Sequence, residues 1–509
     1  MATAMKDGQA TYENLCAHAR EVALLTSTQS LLGFDERTKL PPAGGPYRAE
    51  QMSYLAGIIH RRETAPQLGE WLAELEASPL AADPHSDTGA DIVNMRRDYD
   101  RKTKLPQALV EELARLAVTG QQVWVEARKA NDFPRFRPLL ERIVELKRQE
   151  AAAVGYDDVP YDALLDEYEP GAKTKEVERV LAGLRDQLVP LVAAIAAGPR
   201  HPNMEVLRRH YPVALQEKIG RQAAAVIGYD FNAGGLDVTN HPFCTTLGPR
   251  DVRLTTRYDA HFFPGAFFSS LHEAGHGVYE QGLPAERFGL PTGQAVSLGI
   301  HESQSRMWEN LVGRSRAFWE YLYPEAQVMF DEALTDVRLD HFYFAINDVR
   351  PSLIRVEADE ATYNLHIMVR FELEQALILD ELRVADLPDA WREKYRTYLG
   401  IEPPNDADGV LQDVHWSSGA IGYFPTYTLG NLNAAQFFEK AEQDLGDLHA
   451  MFRGGEFRPL LEWLRQKIHV QGRRFPAAEL TQRVTGKPLS HDALMRHLRA
   501  KFTPLYDLA

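Results

Sequence analysis

Leu271-His272-Glu273-Ala274-Gly275-His276-Gly277-Val278-Tyr279 is the stretch that decides how this chain is read. On a helix the two histidines stand four residues apart, so they project from one face a turn apart and can hold one cation between them. Glu273 lies on the adjoining face, where a carboxylate can take a proton from a water whose pKa a cation has lowered towards ~7. A His-Glu-x-x-His segment arises by chance on the order of 0.05 times in a chain of this size, so the pattern is informative in itself. Catalytic zinc takes three protein ligands and keeps a fourth position open, which demands a third donor.

Metzincins would place Gly and His where Tyr279 and Gly282 stand, which rejects that subclass. Glu280, a further turn along, reads as too distant for a ligand and as a solvated or outer acid. The better candidate is Glu302 in His301-Glu302-Ser303-Gln304-Ser305-Arg306, 26 positions beyond His276. It opens a helix in which Met307, Trp308, Leu311 and Val312 supply a packing face. Two imidazoles and a carboxylate suit Zn2+, with Co2+ or Mn2+ as alternatives.

Upstream, Val252, Leu254, Thr256 and Tyr258 alternate with Arg253, Thr255, Arg257 and Asp259, the period of a half-buried strand. Phe243 to Thr246, followed by Leu247-Gly248-Pro249, reads as the other arm of a hairpin. A small sheet is therefore expected directly before the histidine segment. Most other segments read as helix. From Thr174, an expected N-cap, Val177, Val180, Leu181, Leu184, Leu188 and Leu191 recur at three- and four-residue steps. Comparable stretches cover 11–31, 47–77, 106–154, 302–320, 354–382 and 433–470. No internal repeat or low-complexity linker marks a domain boundary.

The chain has 509 residues, 44% hydrophobic, with a net charge of 56 − 72 = −16. That composition excludes disordered and fibrous classes. The negative charge opposes binding to nucleic acid or an anionic membrane. Two cysteines, Cys16 and Cys244, are too few for a disulfide framework, and the opening Met-Ala-Thr-Ala-Met-Lys-Asp lacks the apolar centre of a leader, so a cytoplasmic setting is expected. The longest apolar run, 188–197, is broken by Pro190 and falls short of the ~20 residues of a membrane span. Length alone suggests about three domains of ~150 residues.

Further motifs accompany the histidine segment. They are Asp35-Glu36-Arg37-Thr38 with Pro41 to Gln51, Pro160-Tyr161-Asp162-Ala163-Leu164-Leu165-Asp166 with Tyr168-Glu169-Pro170-Gly171, and His241-Pro242-Phe243. Asp251-Val252-Arg253-Leu254-Thr255, Ile354-Arg355-Val356-Glu357-Ala358-Asp359-Glu360 and Gly422-Tyr423-Phe424-Pro425-Thr426-Tyr427 complete the set. In this order and spacing the chain resembles the carboxypeptidase Taq family of metallocarboxypeptidases, departing only in Leu254, where the family usually has isoleucine. The resemblance implies a mainly α-helical, two-lobed metallopeptidase with a deep central groove and a small β-sheet next to the active site. It also implies kinship in fold with neurolysin and angiotensin-converting enzyme, a single catalytic domain over 1–509, and a homodimer. The implied activity is release of single C-terminal amino acids from peptides by a metal-bound water that Glu273 activates. A neurolysin-like oligopeptidase or dipeptidyl carboxypeptidase with the same metal site is the alternative. A peptide-binding module with a structural metal is a third reading, which a water-activating Glu273 opposes.

An enzyme acting on peptides with a free C-terminus must recognise a carboxylate, which suits the planar guanidinium of arginine. Arg350, biased towards an extended conformation at a helix entrance by Pro351, is the first candidate; Arg355, one turn into that helix, and Arg253 are rivals. By analogy with the related peptidases, His415 would hold the substrate carbonyl and Tyr423 the developing oxyanion, while Tyr427 reads as core. In the family, the motifs of His241 and Arg253 line the closed end of the groove. Asp359 and Glu360 are expected as outer partners of metal-bound histidines. Cys244 reads as a small buried residue rather than a nucleophile.

Overall fold

The computed structural model describes residues 2–508, with side chains from residue 8 onward. Met1 and Ala509, the two ends of the expected 1–509 domain, lie outside the described residues, as do the side chains of the N-terminal stretch read for a leader. Helices dominate, with a single three-stranded sheet among the described residues. No described helix is long and apolar enough to cross a membrane.

The chain forms two compact units, each assembled from three separate segments. One comprises Met1–Thr103, Asn203–Ile346 and Phe437–Gly486; the other comprises Lys104–Pro202, Asn347–Gln436 and Lys487–Ala509. Because every unit is interleaved along the chain, no linker composition could mark a boundary.

The first unit carries the sheet, with β1 (Gly234–Val238), β2 (Cys244–Gly248) and β3 (Asp251–Thr256) in the order β1-β3-β2. β2 and β3 form the expected antiparallel hairpin, with Thr245 opposite Arg253 and Thr246 opposite Val252. β3 ends at Thr256, so Tyr258 is not part of it, and Thr255 and Thr256 are both buried, which breaks the alternation. β1 runs parallel to β3, and its Gly-Gly-Leu-Asp-Val sequence has too few β-branched or aromatic residues to announce a strand.

Behind this sheet lies the helix Phe263–Glu280, which carries the histidine segment. It packs against β3, the helix Val213–Val226 and the helix Leu298–Arg306. Its buried residues, from Phe263 and Phe267 through Leu271 and Ala274 to Val278 and Tyr279, encircle it as in a core helix. An aromatic cluster anchors its N-terminal end: the Phe263 and Phe267 rings stack at 5.1 Å, and Trp319 meets Phe267 at 5.0 Å. Such ring pairs add to the area they bury.

Several long helical stretches prove to be interrupted. The 47–77 stretch is two helices, Gly45–Glu63 and Pro66–Glu76, because Pro66 turns the preceding residue out of the helical region. The 106–154 stretch breaks at Asn131, whose φ of 53° is left-handed, and Asp132 then caps the next helix by accepting from Arg135 N–H. The 302–320 stretch contains a π-helical turn at Met307–Val312, and 433–470 is divided among Pro425–Leu445, Leu448–Arg453 and Arg458–Lys467. In 354–382 only Thr362–Ile378 is α-helix, preceded by a 3-10 turn at Arg355–Glu357. Thr174 is the first helical residue and not the cap, since its N–H and hydroxyl both donate to Asp162 at 2.7 and 2.6 Å.

One glycine sets the distance between the histidine helix and the helix Leu298–Arg306. A Cβ on Gly275 would lie 2.6 Å from Ser305 Cα and 2.8 Å from the Gln304 carbonyl oxygen, both backbone atoms that cannot turn aside. Gly275→Ala is therefore expected to destabilise the fold by about 1–3 kcal/mol through overpacking. The fall would be read as a lower midpoint in thermal denaturation, with weaker metal retention in equilibrium dialysis because the two helices carry different candidate ligands.

Candidate metal centre

His272, His276 and Glu302 come together across that contact, with one ligand atom from each lying within 4.8 Å of the others. The Nε2 atoms of His272 and His276 stand 3.6 and 3.4 Å from the same Glu302 oxygen, Oε2. Four-coordinate zinc with bonds of ~2.1 Å spaces its ligands roughly 3.4 Å apart, so the residues present fit such an ion. Both imidazoles are turned so that Nδ1 points away from Glu302. His272 Nδ1 meets Glu309 Oε2 at 2.9 Å, and His276 Nδ1 meets the His301 carbonyl oxygen at 3.1 Å. These contacts fix which ring nitrogen is left for a cation.

Glu302 is buried, and its second oxygen accepts from Arg306 Nε at 2.6 Å. Arg306 also donates to Glu309 Oε2 at 3.2 Å, so one guanidinium bridges buried Glu302 and half-buried Glu309. Burial works against ionisation of Glu302, but Arg306 and the two histidines outweigh it and hold the acid well below the usual carboxylate range. Burial also opposes ionisation of Glu309, which Arg306, His272 and Arg314 nonetheless pull down to about 2. Burial disfavours the cationic form of His272, yet Glu302 and Glu309 raise its pKa overall. His276 is driven down to about 3, first by burial, so its ring is neutral, the form that binds a metal.

Glu273 is buried on the same helix and is pushed up to about 7, first by burial and also by the Glu302 charge, against the pull of His272. A carboxyl group tuned to neutral pH can both take and return a proton. Cys244, half-buried in β2, has its thiol pushed well up by burial and by Glu273 and Glu280, which leaves no thiolate to act as a nucleophile.

The partners of the ligand histidines were not legible in the sequence. Asp359 and Glu360, expected in that role, lie in the second unit and are used elsewhere. Asp359 accepts from the N–H groups of Ala361 and Thr362 at the start of the Thr362–Ile378 helix, and Glu360 pairs with His497 at 2.7 Å and Lys501 at 2.6 Å. Glu309 and His301 hold the rings in their place. Glu309 follows Glu302 by seven residues, but the intervening π-helical turn that re-aims it leaves no mark in composition. Glu280 is half-buried rather than solvated, with one oxygen on His301 Nε2 at 2.8 Å and the other accepting from Thr246 at 2.7 Å.

The remaining candidates are distributed over both units. In the first, Arg253 on β3 makes two bonds to Asp251, at 2.8 and 2.9 Å, and its guanidinium lies over the Phe34 ring. His241 is exposed in the segment between β1 and β2.

In the second unit, Arg350 does not enter a helix: it lies in an irregular stretch before the 3-10 turn, with Nε on Asp348 and its N–H on Asp359. Arg355 is not one turn into a helix either. It opens the 3-10 turn and is buried, with its guanidinium on Asp413 and Tyr363.

His415 and Tyr423 flank a loop of that unit, their ring centroids 5.3 Å apart. The loop is tied down by buried Glu374, which accepts from Trp416 Nε1 at 2.8 Å and from Gly422 N–H at 3.0 Å. Gly422 has a φ of 94°, and a Cβ there would lie 2.7 Å from the Leu164 carbonyl, so no other residue fits the turn. Tyr427 is half-buried rather than fully core, edge-on to Tyr423 at 5.4 Å.

Two helical histidines and a glutamate from a second helix have the composition and spacing of a candidate mononuclear metal centre. Comparison with known proteins agrees with that class. The family model of the carboxypeptidase Taq (M32) metallopeptidases matches residues 14–502, and the chain belongs to that family, which makes it a metallocarboxypeptidase. It is 48% identical over 507 residues to thermostable carboxypeptidase 1 of Thermus thermophilus, covering 98% of this chain and 99% of that one. Carboxypeptidase 1 of Bacillus subtilis is 38% identical, with 96% and 97% covered. Among solved structures, the M32 carboxypeptidase of Deinococcus radiodurans superposes with a TM-score of 0.95 at 40% identity, over 98% of this chain and 100% of that one.

Arg306 is bonded to both Glu302 and Glu309. Arg306→Met is expected to destabilise the metal-free chain by about 3–5 kcal/mol, the usual effect of leaving a buried charge unpaired. A divalent ion would supply part of the missing positive charge. The loss in urea denaturation should therefore be larger with chelator than with zinc, and equal losses in the two conditions would contradict this electrostatic picture.

Proposed function

We propose that this chain is a zinc-dependent carboxypeptidase that releases single C-terminal residues from peptides, with Glu273 as the group that takes and returns the proton. The observation that carries the proposal is the placement of Glu273. It is buried next to His272 on the same helix, close enough to feel the charges of His272 and Glu302, and its pKa is raised to about 7. A purely structural metal has no use for an acid so tuned.

When bound, the divalent cation would polarise the carbonyl of the scissile peptide and lower the pKa of a water. His272 and His276 would hold it through Nε2 and Glu302 through Oε2, the atoms that face one another at 3.4–3.6 Å. Glu273 would then accept the proton of the attacking water and deliver it to the departing amine, so that one carboxylate serves in turn as base and acid. In this reading His415 holds the substrate carbonyl and Tyr423 donates to the developing oxyanion.

Arg350 is favoured as the residue that binds the substrate carboxylate. Its side chain is 56% exposed, whereas Arg355 is 5% exposed with its guanidinium already engaged by Asp413 and Tyr363. Arg253 and His241 would limit substrate length. The same reading takes 1–509 as one catalytic domain, working in the cytoplasm as a homodimer, with Co2+ or Mn2+ able to replace zinc.

The test is to incubate the purified protein with a synthetic peptide, with and without chelator, and to follow products by mass spectrometry. A ladder losing one C-terminal residue at a time, abolished by chelator, is expected. Glu273→Gln should keep the metal and lower the rate by about 10²–10⁴. Internal fragments or losses in pairs would replace the proposal by an oligopeptidase or dipeptidyl carboxypeptidase. Full activity of Glu273→Gln would sink the proton-transfer role.

A further inference from the structure

His276 is held from behind by something other than the carboxylate that His272 has. Its Nδ1 lies 2.6 Å from Nδ1 of His301 as well as 3.1 Å from the His301 carbonyl oxygen. The His301 ring continues outward, with Nε2 at 2.8 Å from Glu280 Oε1, and Glu280 Oε2 accepts from the Thr246 hydroxyl at 2.7 Å. Thr246 belongs to β2, and Glu280 is the last residue of the histidine helix.

One arrangement of protons satisfies every contact. With His276 Nε2 giving its lone pair to a cation, the proton of that ring is on Nδ1. Two nitrogens at 2.6 Å cannot both carry hydrogen, so His301 Nδ1 is the acceptor and its own proton sits on Nε2. That proton points at Glu280, an ionised acceptor whose other oxygen takes the Thr246 proton. The direction of donation is thus fixed from His276 to His301 to Glu280, closed from the far side by Thr246.

We infer that Glu280 and His301 form a carboxylate–imidazole pair that positions His276 and makes it a stronger metal ligand, so that the sheet and the metal centre are coupled through Thr246. The pair contributes neither a ligand nor a group that touches substrate; both are positioning residues. The negative charge of Glu280 reaches His276 through the His301 ring, which raises the electron density that Nε2 offers to a cation. Outer partners of ligand histidines commonly change metal affinity by 10–100-fold. Glu280 falls one helical turn after His276 in sequence, yet it acts on that ligand through a residue 21 positions away.

The inference rests on the metal centre proposed above, and the test separates the two. Co2+ is titrated into the chelator-stripped full-length chain and into Glu280→Gln, His301→Phe and the double variant, against a competing chelator, recording the visible d–d spectrum of the bound ion. His301→Phe keeps the backbone carbonyl at His276 Nδ1 and removes only the ring acceptor.

Each single variant is expected to bind Co2+ about tenfold more weakly with a shifted spectrum, and the double variant to match His301→Phe alone, because Glu280 acts through that ring. Thr246→Val, which leaves both residues in place, is expected to give a smaller shift in the same direction. Unchanged affinity and spectrum in the single variants, or fully additive losses in the double variant, would overturn the pair while leaving the metal centre intact. Failure of the parent chain to bind Co2+ at all would overturn the metal centre and the inference with it.

Discussion

Two helices touch at Gly275 with no side chain between them, and the proposed metal centre depends on that contact. The histidines belong to one helix and Glu302 to the other, so the 3.4–3.6 Å separation of their ligand atoms is fixed by how closely the two backbones approach. The missing Cβ at Gly275 sets that approach, and the encircling core around Phe263–Glu280 holds it. Interiors packed at crystal-like density deform little, so the spacing of the three donors follows from the packing of the two helices.

The charges in this region follow from the same burial. Glu273 and Glu302 are buried and Glu309 is half-buried, and ionised carboxylates in such a place need cations. Arg306 serves Glu302 and Glu309 together, and Arg314 approaches Glu309 at 3.5 Å. Glu273 is pushed up to about 7, first by burial, whereas Glu302 and Glu309 are pulled down by Arg306 and the histidines. Two kinds of carboxylate therefore arise within one helix pair: fixed anions that bind and orient, and a titrating acid beside them. A divalent cation placed between the histidines would complete the compensation.

The sequence pattern was most legible where chemistry and periodicity coincide. The four-residue step between His272 and His276 and the acid at Glu302 could be read directly, as could the β2–β3 hairpin, because its alternation is local. What could not be read depends on tertiary context. β1 is made mostly of small residues and exists because β3 offers it a partner. The outer contacts of the histidines fall on Glu309, past a π-helical turn, and on His301 with Glu280, brought together by the helix crossing. Asp359 and Glu360 looked suitable by type, but the nearest donors in their own unit claim them. Arg355, a rival of Arg350 by residue type, is buried against Asp413, a pairing that its sequence neighbourhood does not announce.

In the proposed centre one divalent ion is held by His272, His276 and Glu302. X-ray absorption at the metal edge of the purified, zinc-loaded protein would read those donors. The expected spectrum shows one zinc per chain with two imidazole nitrogens and oxygen donors at about 2.0–2.2 Å, and no sulfur. It should lose its oxygen contribution from protein, and most of its occupancy, in Glu302→Ala. Sulfur in the inner shell, absence of imidazole scattering, or an unchanged spectrum in Glu302→Ala would contradict it.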